Sequence, residues 1–475
     1  MDIFYYVVFG ILSILVGGLL LTQNKEGSIV PASGANVQQF LKLRDNYVFV
    51  YALMMAGDWL QGPYVYALYQ YYGYGVKEIG QLFIAGFGSS MIVGTVVGAL
   101  GDKYGRKKAA LLYVILYSIS CYTKHYLDFR VLMIGRFLGG IATSLLFSAF
   151  ESWIVAEHFS KGLEERWLGE TFSKAVFVGN GLVAILAGLV ANYLVDNLRL
   201  GPVAPFDASA FVLITGGAVI LFTWGENYGD PKNQNSLSQQ FKMATAAIMG
   251  DQRIAMLGAM QSLFEASMYS FVFLWTPALS PKGEIIPHGM IFACFMAASM
   301  VGSALSAILM KRSKPEMFMK YVFGAAGVAL AVPCLFHLGA VIGKGADGDA
   351  SHTSQPATGI STQGQIQLMA FLVFEATVGA FWPSMMTMRA HYVPEDIRST
   401  IINFFRIPLN LFVCVILYNV HLFPLSAMFG LCSAFLGLAA MLMVQLERIS
   451  AKNGPVIRGM PDTEALLSGG QGRSD

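Results

Sequence analysis

Charge is scarce in this sequence: Asp, Glu, Lys and Arg make up 13% of 475 residues against 55% hydrophobic, and the mean hydropathy is +0.56. Soluble globular domains carry about 25% charged residues, so the ordinary soluble classes are excluded. A net charge of +2 gives no bulk attraction for nucleic acid. Cysteine is also sparse. Cys121, Cys294, Cys334, Cys414 and Cys432 all fall in apolar runs and form neither a disulfide framework nor a metal-ligand spacing, so no metal and no cofactor are expected. H-E-x-x-H, G-x-S-x-G and paired-Asp hydrolase patterns are missing, which argues against an enzyme. The amino terminus lacks the positive start and short apolar core of a cleaved signal peptide; Asp2 precedes an apolar run from Ile3 to Leu21.

Long apolar runs fill the rest. About twenty apolar residues cross a hydrocarbon core of ~30 Å as a helix, and Ile3–Leu21 reads as a retained first helix, residues 1–24, with its N-terminus outside the cytosol. Runs at Tyr47–Tyr69, Ile79–Gly101, Ala109–Tyr122, Val131–Ala156, Leu168–Leu194 and Ala210–Trp224 form a first half, 45–225. A polar stretch with Asp230, Pro231, Lys232 and Asn233 marks a cytosolic linker, 226–252. A second half, 253–446, holds Ile254–Leu279, Met290–Met310, Met317–Val341, Ile366–Met388, Ile401–Val420 and Phe423–Leu446, followed by a cytosolic tail, 447–475. Alternation puts Lys103–Lys108, Lys161–Arg166, Lys311–Lys314 and Arg389–Arg398 on one face, as the positive-inside rule requires. The Gly/Ser/Thr-rich loop Gly343–Gln365 falls on the other. D-T-E-A-L-L at Asp462–Leu467 fits an acidic dileucine sorting signal.

The second apolar run of the first half ends in G-A-L-G-D-K-Y-G-R-K-K, Gly98 to Lys108. Its glycines permit a tight reversal, and Asp102 can cap the next helix or pair with a cation. Any membrane protein could place a basic loop here, but the spacing of Gly98, Asp102, Lys103, Gly105, Arg106, Lys107 and Lys108 resembles the signature loop of the major facilitator superfamily. The resemblance implies an all-α polytopic fold of two six-helix bundles, here preceded by one extra transmembrane helix. Gly98, Asp102, Gly105 and Arg106 would form its gating motif. The halves of such a fold should be repeats. Gly80, Phe83, Ser90 and Met91 recur as Gly289, Phe292, Ser299 and Met300 at one spacing; Arg166, Phe172 and Lys174 recur as Arg398, Phe404 and Arg406 at another. One insertion about as long as the Gly343–Gln365 loop reconciles them. The second half keeps only M-K-R-S-K-P-E at its equivalent loop, and the fifth helix has no proline after Gly179, which disfavours a drug or proton antiporter.

The second match sets one cation in each half, Lys174 and Arg406, ~10–12 Å along its helix from the cytosolic end at 1.5 Å per residue. Facing a central cavity the pair would suit an anion, with Arg forking two donors onto an oxyanion; otherwise both snorkel to the interface. Arg136, in R-F-L-G-G, resembles the superfamily's fourth-helix Arg-x-x-x-Gly motif, with a part in coupling or in structural pairing. Asp58 and Glu265 lie near the middles of the first helix of each half and Glu151 lies on the fourth, and a carboxylate that meets a moving cation can load and release a proton. Glu170 reads as a static ion pair. Gln61, Tyr64, Trp153, Asn180, Asn410 and Trp382 are candidate cavity-lining, substrate-binding groups, with Trp59, Tyr66 and Gln261.

D-W-L-Q-G-P-Y-V-Y-A-L-Y from Asp58, G-R-F-L-G-G from Gly135, F-E-S-W-I-V-A-E-H from Phe150 and G-E-T-F-S-K-A-V-F-V-G-N-G from Gly169 together resemble the molybdate-anion transporter family. That likeness spans nearly the whole chain. It implies uptake of molybdate, a small oxyanion, by a secondary transporter in a lipid bilayer. The expected protein is monomeric, sits in the plasma membrane or an internal one, and has proton symport as one mode. A sugar or organic-anion carrier and a non-transporting sensor are the alternatives.

Overall fold

A computed structural model describes residues 2–23, 34–228, 237–280, 286–343, 360–394 and 398–453, and every regular element among them is helical. The polar run 230–235, residues 344–359 of the long loop and the tail motif at 462–467 lie outside the described residues. Eight helical stretches among the described residues are long and apolar enough to cross a membrane.

The first helix, α1 (Ile3–Gln23), precedes the first half. The first span of that half is broken: α2 (Ala35–Trp59) stops before Gly62 and Pro63, and α3 (Val65–Tyr71) resumes after them. Proline has no N–H to continue the ladder and disfavours helix in the residue before it. The helix also begins twelve residues earlier than hydropathy suggests. Phe40 of this extension is fully buried against Trp167, with ring centroids 5.3 Å apart. Next come α4 (Val76–Tyr104) and α5 (Arg106–Tyr122), then α6 (Phe129–Leu146) and α7 (Ala149–Ser160) as one interrupted span. The fifth span is α8 (Glu165–Val176), a π-helical stretch Phe177–Val183, α9 (Ala184–Asn192) and a second π stretch Tyr193–Asn197; α10 (Ala204–Thr223) closes the half.

The stretch read as a polar linker contains a helix, α11 (Leu237–Gly250), packed against the second half. That half consists of α12 (Gln252–Leu279), α13 (His288–Arg312), α14 (Pro315–Gly343), α15 (Thr362–Tyr392), α16 (Arg398–Tyr418) and α17 (Leu425–Asn453). Its core is aromatic: Phe264 stacks on Phe381 at 4.1 Å, and Phe271 meets Phe371 and Phe374 at 4.9 Å each. Helix α1 lies on α13, burying Tyr5 and Val8.

The signature loop is a hairpin between α4 and α5. Gly105 takes φ +118°, where a side chain is strained, and an added Cβ would fall 2.6 Å from the Glu226 carboxylate. Glu226, the first linker residue after Gly225, accepts the Lys107 N–H at 2.8 Å and so caps α5. Lys107 Nζ donates to the Leu221 and Trp224 carbonyls at the end of α10. The motif therefore ties three helix ends of one half together.

The two halves meet at the end of the bundle opposite the basic loops, called the outer end below. Gly188 on α9 and Gly289 on α13 touch backbone to backbone: a Cβ on Gly289 would lie 2.5 Å from the Gly188 carbonyl. Small residues at such crossings let helices approach without a clash. Asn192 accepts the Met290 N–H at 3.2 Å. Gly80 lies against Leu417 and Val420 of α16, and Phe273 meets Tyr66 at 5.2 Å and Phe83 at 5.3 Å.

Candidate functional site

Deeper than those contacts, polar groups from both halves converge. On α12, Gln261, Glu265 and Tyr269 follow each other at four-residue intervals and share one helical face. The Gln261 amide donates to Glu265 Oε1 at 2.7 Å, and its carbonyl accepts from Arg389 Nη1 of α15 at 3.2 Å. Arg406 of α16 bonds the Tyr269 hydroxyl, and both arginines are within electrostatic reach of Glu265. The register is set by packing. Phe405 lies so close over Gly258 that an added Cβ would be 2.2 Å from its ring, and Ser262 donates to the Phe405 carbonyl at 2.8 Å. Arg406 is thereby carried to the level of Glu265.

The facing half contributes acids and aromatics. Asp58, in the last turn of α2 before the Gln61–Pro63 break, accepts from the Tyr117 hydroxyl of α5 at 2.5 Å. Tyr51, one helical stretch earlier, bonds Asn180 and lies within reach of Asp58 and Glu151. Asn180 sits in the π stretch, and π insertions are a frequent mark of functional sites. Gly179 and Gly181 flank it; Cβ atoms there would come within 2.8 Å of Tyr51 and 2.9 Å of Met300 on α13. Glu151 is solvent-exposed on α7 yet within electrostatic reach of Arg389 in the other half. At its level the halves stand apart enough to leave Glu151 exposed, while the outer end is closed. Across that space, acceptors on one side face two arginines on the other.

Other residues expected at the site stand elsewhere. Lys174 bonds Asp45 at 3.0 Å, beside the Arg44–Glu170 pair at 2.8 Å, so both Lys174 and Arg44 are engaged at the basic-loop end of α2 and α8. Gln61 is buried and donates to the Gly57 carbonyl and to Ser209 of α10, a tie inside its own half. Tyr64 belongs to the outer contact, its ring 5.5 Å from His288. Trp153 stacks on Trp224 at 3.7 Å and donates to the Gly225 carbonyl, pinning the start of the linker. Trp382 is half-buried beside Phe381, and Asn410 donates to the Arg406 carbonyl one turn back. Arg136 donates to the Leu82 carbonyl at 3.2 Å and lies 4.7 Å over the Phe83 ring. Sequence reasoning missed Arg389, which ends an apolar run and reads as part of a basic loop, and Tyr117, which reads as one of many aromatics.

Residues 4–352 match the model of a family described as sugar transporters with twelve transmembrane segments. Over longer spans the chain is 34% identical to the molybdate-anion transporter of Xenopus laevis across 412 residues, 86% of each chain. It is 31% identical to that of Takifugu rubripes across 506 aligned positions, covering 99% of this chain and 98% of the relative.

The chain belongs to the molybdate-anion transporter family of the major facilitator superfamily. Solved structures agree on the fold. The nucleoside transporter NupG superposes with a TM-score of 0.61 at 13% identity, covering 86% of this chain and 99% of that one. The inward-open xylose transporter XylE from E. coli gives 0.60 at 14%, covering 87% and 99%. As a member of this family the chain is a multi-pass integral membrane transporter and not an enzyme.

Proposed function

We propose that the chain takes up a small oxyanion, molybdate, by alternating access between its two halves, with Arg406 and Arg389 as the groups that hold the anion. The supporting observation is the convergence of these two arginines on Gln261, Glu265 and Tyr269, opposite the Asp58–Tyr117 pair and Glu151. Two guanidinium forks match the geometry of a tetrahedral oxyanion, and Tyr269, Asn180 and Gln261 supply neutral hydrogen-bonding groups beside them. The relatives that align over nearly the whole chain carry molybdate in their names, which supports this substrate. Asp58, Glu151 and Glu265 give the site three carboxylates, and one of them, meeting Arg389 or Arg406 only when no anion is bound, would carry a proton with the substrate. Lys174, paired with Asp45, serves the cytosolic mouth rather than the anion.

The description of the matching family favours a second reading, a sugar carrier. A sugar would be held by neutral hydrogen bonds and aromatic faces and would tolerate loss of both charges. The deciding measurement is molybdate uptake at nanomolar concentration, with excess sulfate, in cells lacking their own carrier. Arg406→Gln and Arg389→Gln are each expected to lower uptake about tenfold or more, since a charge-assisted hydrogen bond contributes ~1.5–3 kcal/mol. If wild-type protein, confirmed at the surface, gives no more uptake than empty cells, the molybdate reading fails.

A further inference from the structure

The outer end of the first half buries a second set of donors that the central cluster does not use. Lys124 lies in the one-turn segment Thr123–His125 after α5 and is 1% exposed. Its Nζ is without a hydrogen-bond partner and stands 5.5 Å over the Tyr69 ring. The Tyr69 hydroxyl, on α3, is also buried and unpartnered. Arg136, on α6, is within electrostatic reach of both. Asp207, the acid at this end of α10, is engaged by His125 at 2.7 Å. The turn itself is held by the Tyr72 hydroxyl, which donates to the Lys124 carbonyl.

A buried ammonium with no partner costs several kcal/mol, and a second cation beside it adds repulsion. Acid side chains normally relieve that cost. Here a buried ammonium and a buried phenol lie within electrostatic reach of a half-buried guanidinium, the donor set that a mobile anion would satisfy. Burial and Arg136 together pull the Lys124 amine down to about 7, so an arriving anion would restore its charge near neutral pH.

We propose that Tyr69, Lys124 and Arg136 form a second anion site, at the outer end of the first half, that takes the transported oxyanion before the central arginines do. The proposal rests on the oxyanion reading given above. Its place on the route follows from Phe83, whose ring carries the Arg136 guanidinium on one contact and meets Phe273 of the other half on another. When the halves part at the outer end, that aromatic contact opens directly in front of the site.

The test is equilibrium binding of radiolabelled molybdate to the purified full-length protein in detergent, counted per chain. Wild type is expected to bind two equivalents, Lys124→Met one, Arg406→Gln one and the double variant none. Tyr69→Phe keeps the ring under the amine and removes one donor, so it should retain two equivalents with the outer one weakened several-fold. Lys124→Met removes an unpaired buried charge and should melt in gluconate no lower than wild type, which separates lost binding from lost fold. Lys124→Met that binds as wild type does overturns the outer site, whatever Arg406→Gln does. Arg406→Gln that keeps both equivalents while Lys124→Met loses one leaves the outer site standing and overturns the central one.

Discussion

Lys124 gives the protein a pH dependence of the same sign as that of an acidic ion pair, in a higher window. Its amine titrates near 7 in the folded chain and at its ordinary 10.5 in the unfolded one. Between those values the unfolded chain holds a proton that the folded chain lacks, so stability rises with pH across that window and the full penalty is present below about 7. The melting temperature in gluconate is expected to climb from pH 7 to pH 9, and the climb should be smaller in Lys124→Met. Asp251 shows the same sign in a lower window: hydrogen bonds from Arg253 hold its carboxyl below the usual range, so its contribution is kept at neutral pH and lost only in acid. Residue types at the centre were partly legible in the sequence. A carboxylate or arginine inside an apolar run must be accounted for, and Asp58, Glu151, Glu265 and Arg406 stand where such costly groups converge. Gln61 and Trp153 look equally suitable on paper, yet their partners, Ser209 and Trp224, come from α10 and its end, and no linear pattern reveals that pairing.

At the scale of elements, hydropathy finds the spans and misses their interruptions. The break after Trp59 has a local cause in Pro63, whereas the π stretch Phe177–Val183 does not: it depends on Gly179 fitting under Tyr51 and Gly181 under Met300, contacts made across space. Helix α11 was hidden by the polar residues around it. The signature loop was recognisable as a motif, but its anchor was not, because Glu226 lies more than a hundred residues away in what reads as linker. That anchor can be weighed. Glu226→Ala leaves the first turn of α5 without its acceptor and should cost about 1 kcal/mol, the usual worth of a helix cap, seen as a lower melting temperature. Glu226→Gln keeps an acceptor and should recover most of the loss. Equal losses in both variants would mean that the charge facing the α5 dipole matters and the hydrogen bond does not.

For the whole molecule, under the proposed alternating access the closed outer end and the open space around Glu151 would be one of two states, and the glycines that close it would be the lever on the balance. Gly188 and Gly289 meet with no room for a side chain, so Gly289→Leu must separate α9 from α13 or push the Asn192 backbone aside. The substituted side chain makes no such clash once the halves have parted there. A ligand or mutation shifts an equilibrium only by what it does differently to the two states, and this clash is confined to one. Gly289→Leu is therefore expected to favour the outward-open form: combined with Tyr66→Cys, at the residue that faces Phe273 across the outer contact, it should speed reaction of the new thiol with a membrane-impermeant maleimide. Net uptake should fall while molybdate binding from outside persists, because the site can load but the return to the inward state is held up. Unchanged labelling together with unchanged uptake would show that the α9–α13 contact is packing without a gating role. The gate would then lie at the α4–α16 contact of Gly80 with Leu417, where the corresponding substitution, Gly80→Leu, meets the Leu417 carbonyl.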